Sequence, residues 1–600
     1  MPHRLCVDQR PGFMMNRVLW SFLTVIILSS QTAGSAVLNQ PDWDDAQGLN
    51  GWWEDVVSDV LIDETTGDII VTGTYRYDLH VGPFSLTAQQ HHVSGNTSDI
   101  FVARWSGDSW AWIATAGGPD NDWASSLTMT DEGALYVAGA FRSNISTFGT
   151  HQISNSDTTP RTLTTSPTSE AFLARIDPST GDWVWASGFE GQAHSDWAVA
   201  IEPSPSGGVY VAGNYASNQL SHDGRPLMPG WGDGGMTDGF LAEFNSTGVL
   251  LAHASVFDPD SSLEVKDLSV TTEGLVLLAG HYIGQAAYAV PNKTVNTAPG
   301  YSEGFVAAWQ PTNQTWIWMA SIGGSGSDEI YSISPDDEGG AYVLSRSSSL
   351  DTYSIQPDNT SRISNPNSGL SGTTDVLVSR ITGHGVWLWT SSAIGAGNDD
   401  AHSIATMEGG AVVSGGTASI TMTFGSKGIQ KSDDPLNMDL WIAGIGDTGI
   451  WQWALNAGMA KWPEATTLDH SSGVSVIGGS FSTPYVDFDD SRLWNWDNES
   501  TYQWPDAFFA LLNHDVNQGC SDGNDELNNP ECIDFNEVPS DQIDPDQDGS
   551  DDGIEDNGSS QDVSDNSELG VFGILVALLI AGMIIGIILI SRSEDESSDK

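Results

Sequence analysis

The sequence predicts an all-β fold: a seven-bladed β-propeller with four-stranded blades, its ring closed by the N-terminal strand, followed by an acidic stalk and one C-terminal transmembrane helix. Three observations predict it. Two linked strand signatures each occur seven times, a tryptophan pair follows them in most copies, and the composition suits neither a helical repeat nor a disordered chain.

The first signature is a short apolar strand ending near glycine. It reads IVTGTY at 70–75, YVAGAF at 136–141, YVAGNY at 210–215, LLAGHY at 277–282, YVLSRS at 342–347, VVSGGT at 412–417 and VIGGSF at 476–481. Steps between copies are 66, 74, 67, 65, 70 and 64 residues, the spacing of a repeat architecture. A second strand follows each time, from DIFVAR at 99–104 to DAFFAL at 506–511. Then come W-x-W pairs: Trp110/Trp112, Trp183/Trp185, Trp316/Trp318, Trp387/Trp389 and Trp451/Trp453, with GVLLAHAS in the third copy. Residues i and i+2 of a strand share a face, so both indoles are expected to point the same way and pack between blades. A further strand, such as WASSLTM at 123–129, precedes each glycine-ending strand. Four strands per unit joined by Gly, Asp and Ser turns make a propeller blade.

The seventh copy lacks a W-x-W strand, while the segment 41–60 offers Trp43 ahead of Asp55. The N-terminal segment is therefore expected to supply the last blade's outer strand and remove an open edge. The spacing D-x-A-x-x-I-x-x-D-x-x-G-x-x-Y-V-x-G followed by D-x-F-V-A-[KR], carried by 122–139 and 170–186, resembles the SBBP-type propeller repeat of prokaryotic surface and secreted proteins. That resemblance covers about residues 41–515 and implies the fold, not an activity. Ser345 departs from it where glycine is expected.

Residues 1–36 read as a secretory signal: Arg17 precedes the apolar run 18–28, and Gly34 and Ala36 follow. A retained anchor is the competing reading. Residues 37–515 form the propeller, 516–569 the stalk, 570–591 the membrane helix and 592–600 a cytoplasmic tail. The run 571–590 holds twenty residues without a charge, enough to cross a bilayer core of about 30 Å. These ends predict a single-pass protein of the cell membrane with its propeller outside. Gly582 and Gly586 form a GxxxG pair for a weak dimer. Cys520 and Cys532 predict a local disulfide in an exported segment. Sequons at Asn96, Asn144, Asn245, Asn292, Asn313, Asn359, Asn498 and Asn557 are candidate glycosylation sites.

Residues 515–568 hold 18 acidic residues and no Lys or Arg. Within them Asp544, Asp546, Asp548, Asp552 and Glu555 stand at positions 1, 3, 5, 9 and 12 of a loop with Gly549 at 6. That is the oxygen-ligand spacing of a calcium loop. It resembles the EF-hand loop and, lacking flanking helices, more closely the thrombospondin type 3 calcium repeat. Asp551 at position 8 departs from the EF-hand pattern, and an acidic linker without metal is the alternative.

Lys plus Arg is 20 against 79 Asp plus Glu, a net charge of −59. Phosphate-backbone binding and docking on anionic lipid through a basic face are thereby excluded. No G-x-S-x-G, H-E-x-x-H or P-loop pattern occurs. The segment DPSTGDWVW at 177–185 resembles the tryptophan-docking motif of quinone-dependent dehydrogenases, but stands alone. Asp55, Asp122, Asp196, Asp328 and Asp399 open first strands and are expected to serve as turn and inter-blade hydrogen-bonding groups, or as an acidic ring in the channel. No cofactor is expected in the propeller. The insertion 218–237, with His222, Asp223, Arg225, Trp231 and Asp233, is the candidate ligand loop. Long loops and blade-to-blade turns leave strands at the same end, so the ligand is expected on that rim, over the channel mouth. The expected role is binding or adhesion to a carbohydrate, protein or divalent cation. The alternative is an ectoenzyme: a polysaccharide hydrolase or lyase, or a quinone-dependent dehydrogenase.

Overall fold

The computed structural model describes residues 40–514, apart from 90–96, 160–161, 163–166, 192–193, 218, 229–235, 257–261, 284–300, 350–352, 356–361, 365–372, 432–437, 460–466, 489–490 and 497–503. Every regular element among the described residues is a strand. They form a seven-bladed propeller, as the repeats predict.

Blade one runs Val56–Ile62, Ile69–Arg76, Ser98–Trp105 and Trp110–Gly117, each strand antiparallel to the next. Blades two to six repeat this order, opening at Asp122, Asp196, Ser262, Asp328 and Asp399. Blade seven has Thr467–Ser471, Val474–Phe481 and Asp506–Asn513, and its fourth strand is the N-terminal Asp42–Gly51. The register runs from Asp42 opposite Asn513 to Leu49 opposite Ala507. The ring is thus closed by pairing the two ends of the described chain.

The second and third strands of each blade are buried on both faces. Leu135–Phe141 is buried at all seven positions, because both surfaces of its sheet face a neighbouring blade. Continuous apolar runs in these strands follow from that. The W-x-W indoles do not point the same way as expected: a bulge between them turns the first to the preceding blade and the second to the next. Trp183 Nε1 donates back to the Thr115 carbonyl of the preceding blade at 2.9 Å. Trp318 Nε1 donates forward to Gly383 of the next blade at 2.9 Å. The same two-way pattern recurs in blade six at Trp451 and in blade five at Trp389, which reach Ser392 and Asp447.

The recurrent glycine of the second strand has a steric cause. In blades one and two a methyl at Gly73 or Gly139 would strike the Val56 or Trp123 carbonyl of the adjacent first strand. Each first strand bulges there, and glycine fits against those carbonyls without displacing them. Blade five keeps its bulge with Ser345 in that place.

The long loops differ from expectation. Among the described residues six of them form hairpins, and five of these pair with the outermost strand of the preceding blade. Ile145–Phe148 joins blade one, Leu220–His222 blade two, Tyr353–Ile355 blade four and Thr421–Phe424 blade five. Asp78–Val81 joins the N-terminal strand of blade seven. Unpaired outer-strand ends and tolerance for an added strand explain this placement.

Candidate functional site

The first strands of the blades line a central channel. In blades one to six the inserted bulge residues stand at the same level: Ser58, Ser125, Val199, Lys266, Tyr331 and His402. A bulge re-aims a side chain out of the sheet's alternation. All six residues line one cavity of about 470 Å³, toward the long-loop end. In blades one to three they are small or apolar. In blades four to six they are a lysine, a tyrosine and a histidine, so the sevenfold pattern breaks on one side of the mouth.

Charged partners gather there. Lys266 Nζ lies 2.6 Å from Glu264 Oε1, and His281 Nε2 lies 3.6 Å from Glu264 Oε2. Arg346 bridges Glu329 and Asp400, at 2.9 Å to each, and its guanidinium sits 5.0 Å from the centre of the Tyr331 ring. The Tyr331 hydroxyl donates to Glu329 Oε2 at 2.9 Å, and Ser302 Oγ donates to Oε1 at 2.8 Å. Burial alone would push Glu329 up, but the Ser302 hydroxyl, His281, the Tyr331 hydroxyl and Arg346 outweigh it and hold the carboxylate ionised. Burial raises the Tyr331 phenol, which stays a hydrogen-bond donor at neutral pH. Burial holds His402 at about 4, so its imidazole is neutral. The cluster pairs two cations with three carboxylates and presents donors and acceptors side by side.

A deeper level of about 240 Å³ is acidic. Asp59, Glu202, Asp267 and Asp469 face it from blades one, three, four and seven. Asp59 Oδ2 accepts Leu127 N–H of blade two at 2.9 Å, and Asp267 Oδ2 accepts Ile333 N–H of blade five at 2.8 Å. Asp469 Oδ2 accepts Ile62 N–H of blade one at 2.8 Å. Burial, then repulsion from Asp267, Asp59 and Asp469, raises Glu202 to about 8. Burial puts Asp267 and Asp469 at about 6. Among the described residues no three His, Cys, Asp or Glu groups come together as a metal site.

The carboxylates that open the first strands are not the channel acids. Asp55, Asp122, Asp196, Asp328 and Asp399 are buried. Each ties its strand to the turn after the second strand of the same blade. Asp122 Oδ1 accepts the N–H groups of Arg142 and Ser143 at 2.9 and 3.1 Å, and Asp196 Oδ1 those of Ala216 and Ser217 at 3.0 and 3.1 Å. They act as turn staples within a blade.

In the candidate ligand loop, His222 is buried. Its Nε2 is 2.8 Å from Ser187 Oγ, and its ring packs on Phe189 and Phe244. It takes a core role in the hairpin, which sits on the outer edge of blade two and not at the channel mouth. Asp223, at φ 49°, and Arg225 flank the exposed hairpin turn. Trp231 and Asp233 lie outside the described residues. Among the sequons, Asn144 and Asn313 are exposed and Asn245 is half-buried. Asn96, Asn292, Asn359, Asn498 and Asn557 lie outside the described residues, as do both terminal segments, Cys520, Cys532, the calcium loop, Gly582 and Gly586.

No family model matches the chain, and no curated protein matches it in sequence. The resemblance to the SBBP-type repeat therefore stands on residue spacing alone. Solved structures give low likeness. Virginiamycin B lyase from Staphylococcus aureus shares 8% identity over 78% of this chain and 98% of its own, at a TM-score of 0.36. The phage phi92 endosialidase shares 9% over 78% and 69%, also at 0.36. An ulvan lyase of family PL25 shares 10% over 67% and 78%, at 0.34. Likeness at this level transfers no chemistry to this chain.

Proposed function

We propose that the chain is a surface-displayed binding protein, anchored by its C-terminal helix, whose propeller takes a carbohydrate at the channel mouth. The calcium loop is proposed to stiffen the stalk. The observation that carries the reading is the one-sided cluster of Lys266, Tyr331, Arg346 and His402 in a cavity of about 470 Å³. Paired cations and carboxylates beside an aromatic ring suit vicinal hydroxyls, which both donate and accept. A simple anion is repelled by the excess carboxylate, and a phosphate backbone by the whole chain.

The test is calorimetry of the full-length protein in detergent micelles against a panel of oligosaccharides. At least one is expected to bind, with the affinity reduced about tenfold by Arg346→Gln, which removes a charge-assisted contact. No binding across the panel overturns the reading. An ectoenzyme is the second reading, favoured by His402 and Tyr331 lining the same cavity from adjacent blades, side-chain types that serve in proton transfer. Turnover of a bound glycan, followed as new reducing ends or unsaturated product, establishes that reading instead.

A further inference from the structure

The seam between blades seven and one carries a group of aromatic rings on the surface. Trp496 and Trp504 are 46 and 40% exposed and Tyr77 is 39% exposed; Trp52, beside Trp53 in the chain, is 57% exposed. The rings are ordered in stacks. Trp53 is sandwiched between Tyr77, with centroids 5.6 Å apart and planes at 19°, and Trp504, at 4.6 Å and 28°. Trp496 stacks on His80 at 4.9 Å and 22°.

The backbone holds these rings in place. Asn495 Nδ2 donates to the Trp504 carbonyl at 2.8 Å, and the Trp496 N–H donates to Asp506 Oδ2 at 2.5 Å. Tyr77 adopts φ 61° at the single-residue reversal between Ile69–Arg76 and Asp78–Val81, and its carbonyl accepts Ala88 N–H at 2.8 Å, so the turn fixes the ring's position. Through the chain the stack adjoins a cavity between blades one and two. Glu54 and Arg76, the chain neighbours of Trp53 and Tyr77, pair at 3.2 Å and line this cavity of about 310 Å³. Ser58 lines both that cavity and the mouth.

Exposed rings held in a stack offer flat apolar faces for a partner. Its occupant must offer a flat apolar face to the indoles and polar edges to the Glu54, Arg76, Asp78 and His80 rim. A pyranose ring does both. A polyanion or an anionic bilayer is repelled by a net charge of −59. We propose that Trp496 and Trp504 form a stacking platform for a neutral polysaccharide, whose chain runs along the seam toward the channel mouth. This rests on the carbohydrate reading above.

The test is affinity electrophoresis of the full-length protein in detergent, with hydroxyethylcellulose, xyloglucan or galactomannan in the gel. Alginate and phosphatidylglycerol vesicles serve as the anionic comparisons. At least one neutral polymer is expected to retard the protein and quench its tryptophan fluorescence. Trp496→Ala with Trp504→Ala is expected to weaken retardation about tenfold, while Trp504→Tyr preserves it. Both positions are exposed, and near-ultraviolet circular dichroism checks the fold. Equal retardation of the double variant, or binding to alginate or vesicles alone, overturns the proposal. Arg346→Gln separates the two sites: it lowers oligosaccharide affinity at the mouth and leaves polymer retardation intact if the platform acts independently. Loss of retardation in no platform variant, with mouth binding preserved, removes the platform and keeps the mouth.

Discussion

The hydroxyl of Thr467 donates to Asp59 Oδ1 at 2.8 Å, across 408 residues of chain. The same carboxylate accepts Leu127 N–H from blade two. One side chain therefore ties blades seven, one and two at the channel wall. Asp59→Ala leaves an inward-facing hydroxyl and amide without their acceptor, and is expected to cost about 2 kcal/mol. Asp59→Asn, which keeps one carbonyl acceptor, should cost less. Urea unfolding of both variants measures the difference.

Buried carboxyl groups make stability fall as pH rises. Burial raises Asp99 to about 8, and Asp122, Asp196 and Asp399 to about 7. Each has a folded pKa above its unfolded one, so its contribution is full below about 4 and lost as pH climbs through 7 to 8. Burial depresses His402, His470 and His514 to about 4. Their contribution is present above about 6.5 and lost on acidification. The two sets oppose one another between pH 4 and 6.5, and only the carboxyls act above it. The melting temperature should drop from pH 6.5 to 8.5, and Asp99→Asn should shrink that drop.

A net charge of −59 sets a dependence on salt. Screening shortens the Debye length from about 10 Å at 0.1 M to about 3 Å at 1 M, which relieves self-repulsion in the compact state. The melting temperature is expected to rise over this range. Differential scanning calorimetry in NaCl settles the sign, and a flat or falling curve removes charge as a limiting term.

Calcium is expected to bind the stalk and leave the propeller unchanged. Asp544, Asp546, Asp548, Asp552 and Glu555 repel one another when empty, and a hard cation with oxygen ligands relieves this. Calorimetry of the full chain should show saturable binding at millimolar calcium. Asp544→Ala with Glu555→Gln should abolish it without moving the β-sheet circular dichroism.

The ring and its closure were legible because their signals are local and repeated. Seven copies of the apolar second strand, six of them with glycine, and Trp43 ahead of Asp55 needed no distant information. The two-way indole bonds were not legible: residues i and i+2 of a regular strand share a face, but a bulge between the two tryptophans turns them to opposite seams. The channel mouth was hidden. Lys266, Tyr331 and His402 are the extra residues of first-strand bulges. The step of three between Ala124 and Leu127, Val265 and Leu268, Ile330 and Ile333, and Ala401 and Ile404 marks the bulge, but not that the extra side chains meet at one level of the channel. His222 was drawn into the ligand loop by its polar neighbours, whereas its burial depends on pairing with Phe189 in another repeat. The Asp59–Thr467 bond joins the ends of the ring, beyond any local pattern.

The closing strand has a consequence during synthesis. Asp42–Gly51 is among the first parts of the propeller made, yet its partner Asp506–Asn513 is the last. The bond from Gly51 N–H to Asp506 spans 455 residues. At roughly 5–20 residues per second, the first strand waits on the order of half a minute or more. Through that time its edge is open to pairing with another nascent chain. The acidic Asp42, Asp44 and Asp45 then act as a temporary guard, keeping like strands apart until the last blade emerges to claim its own.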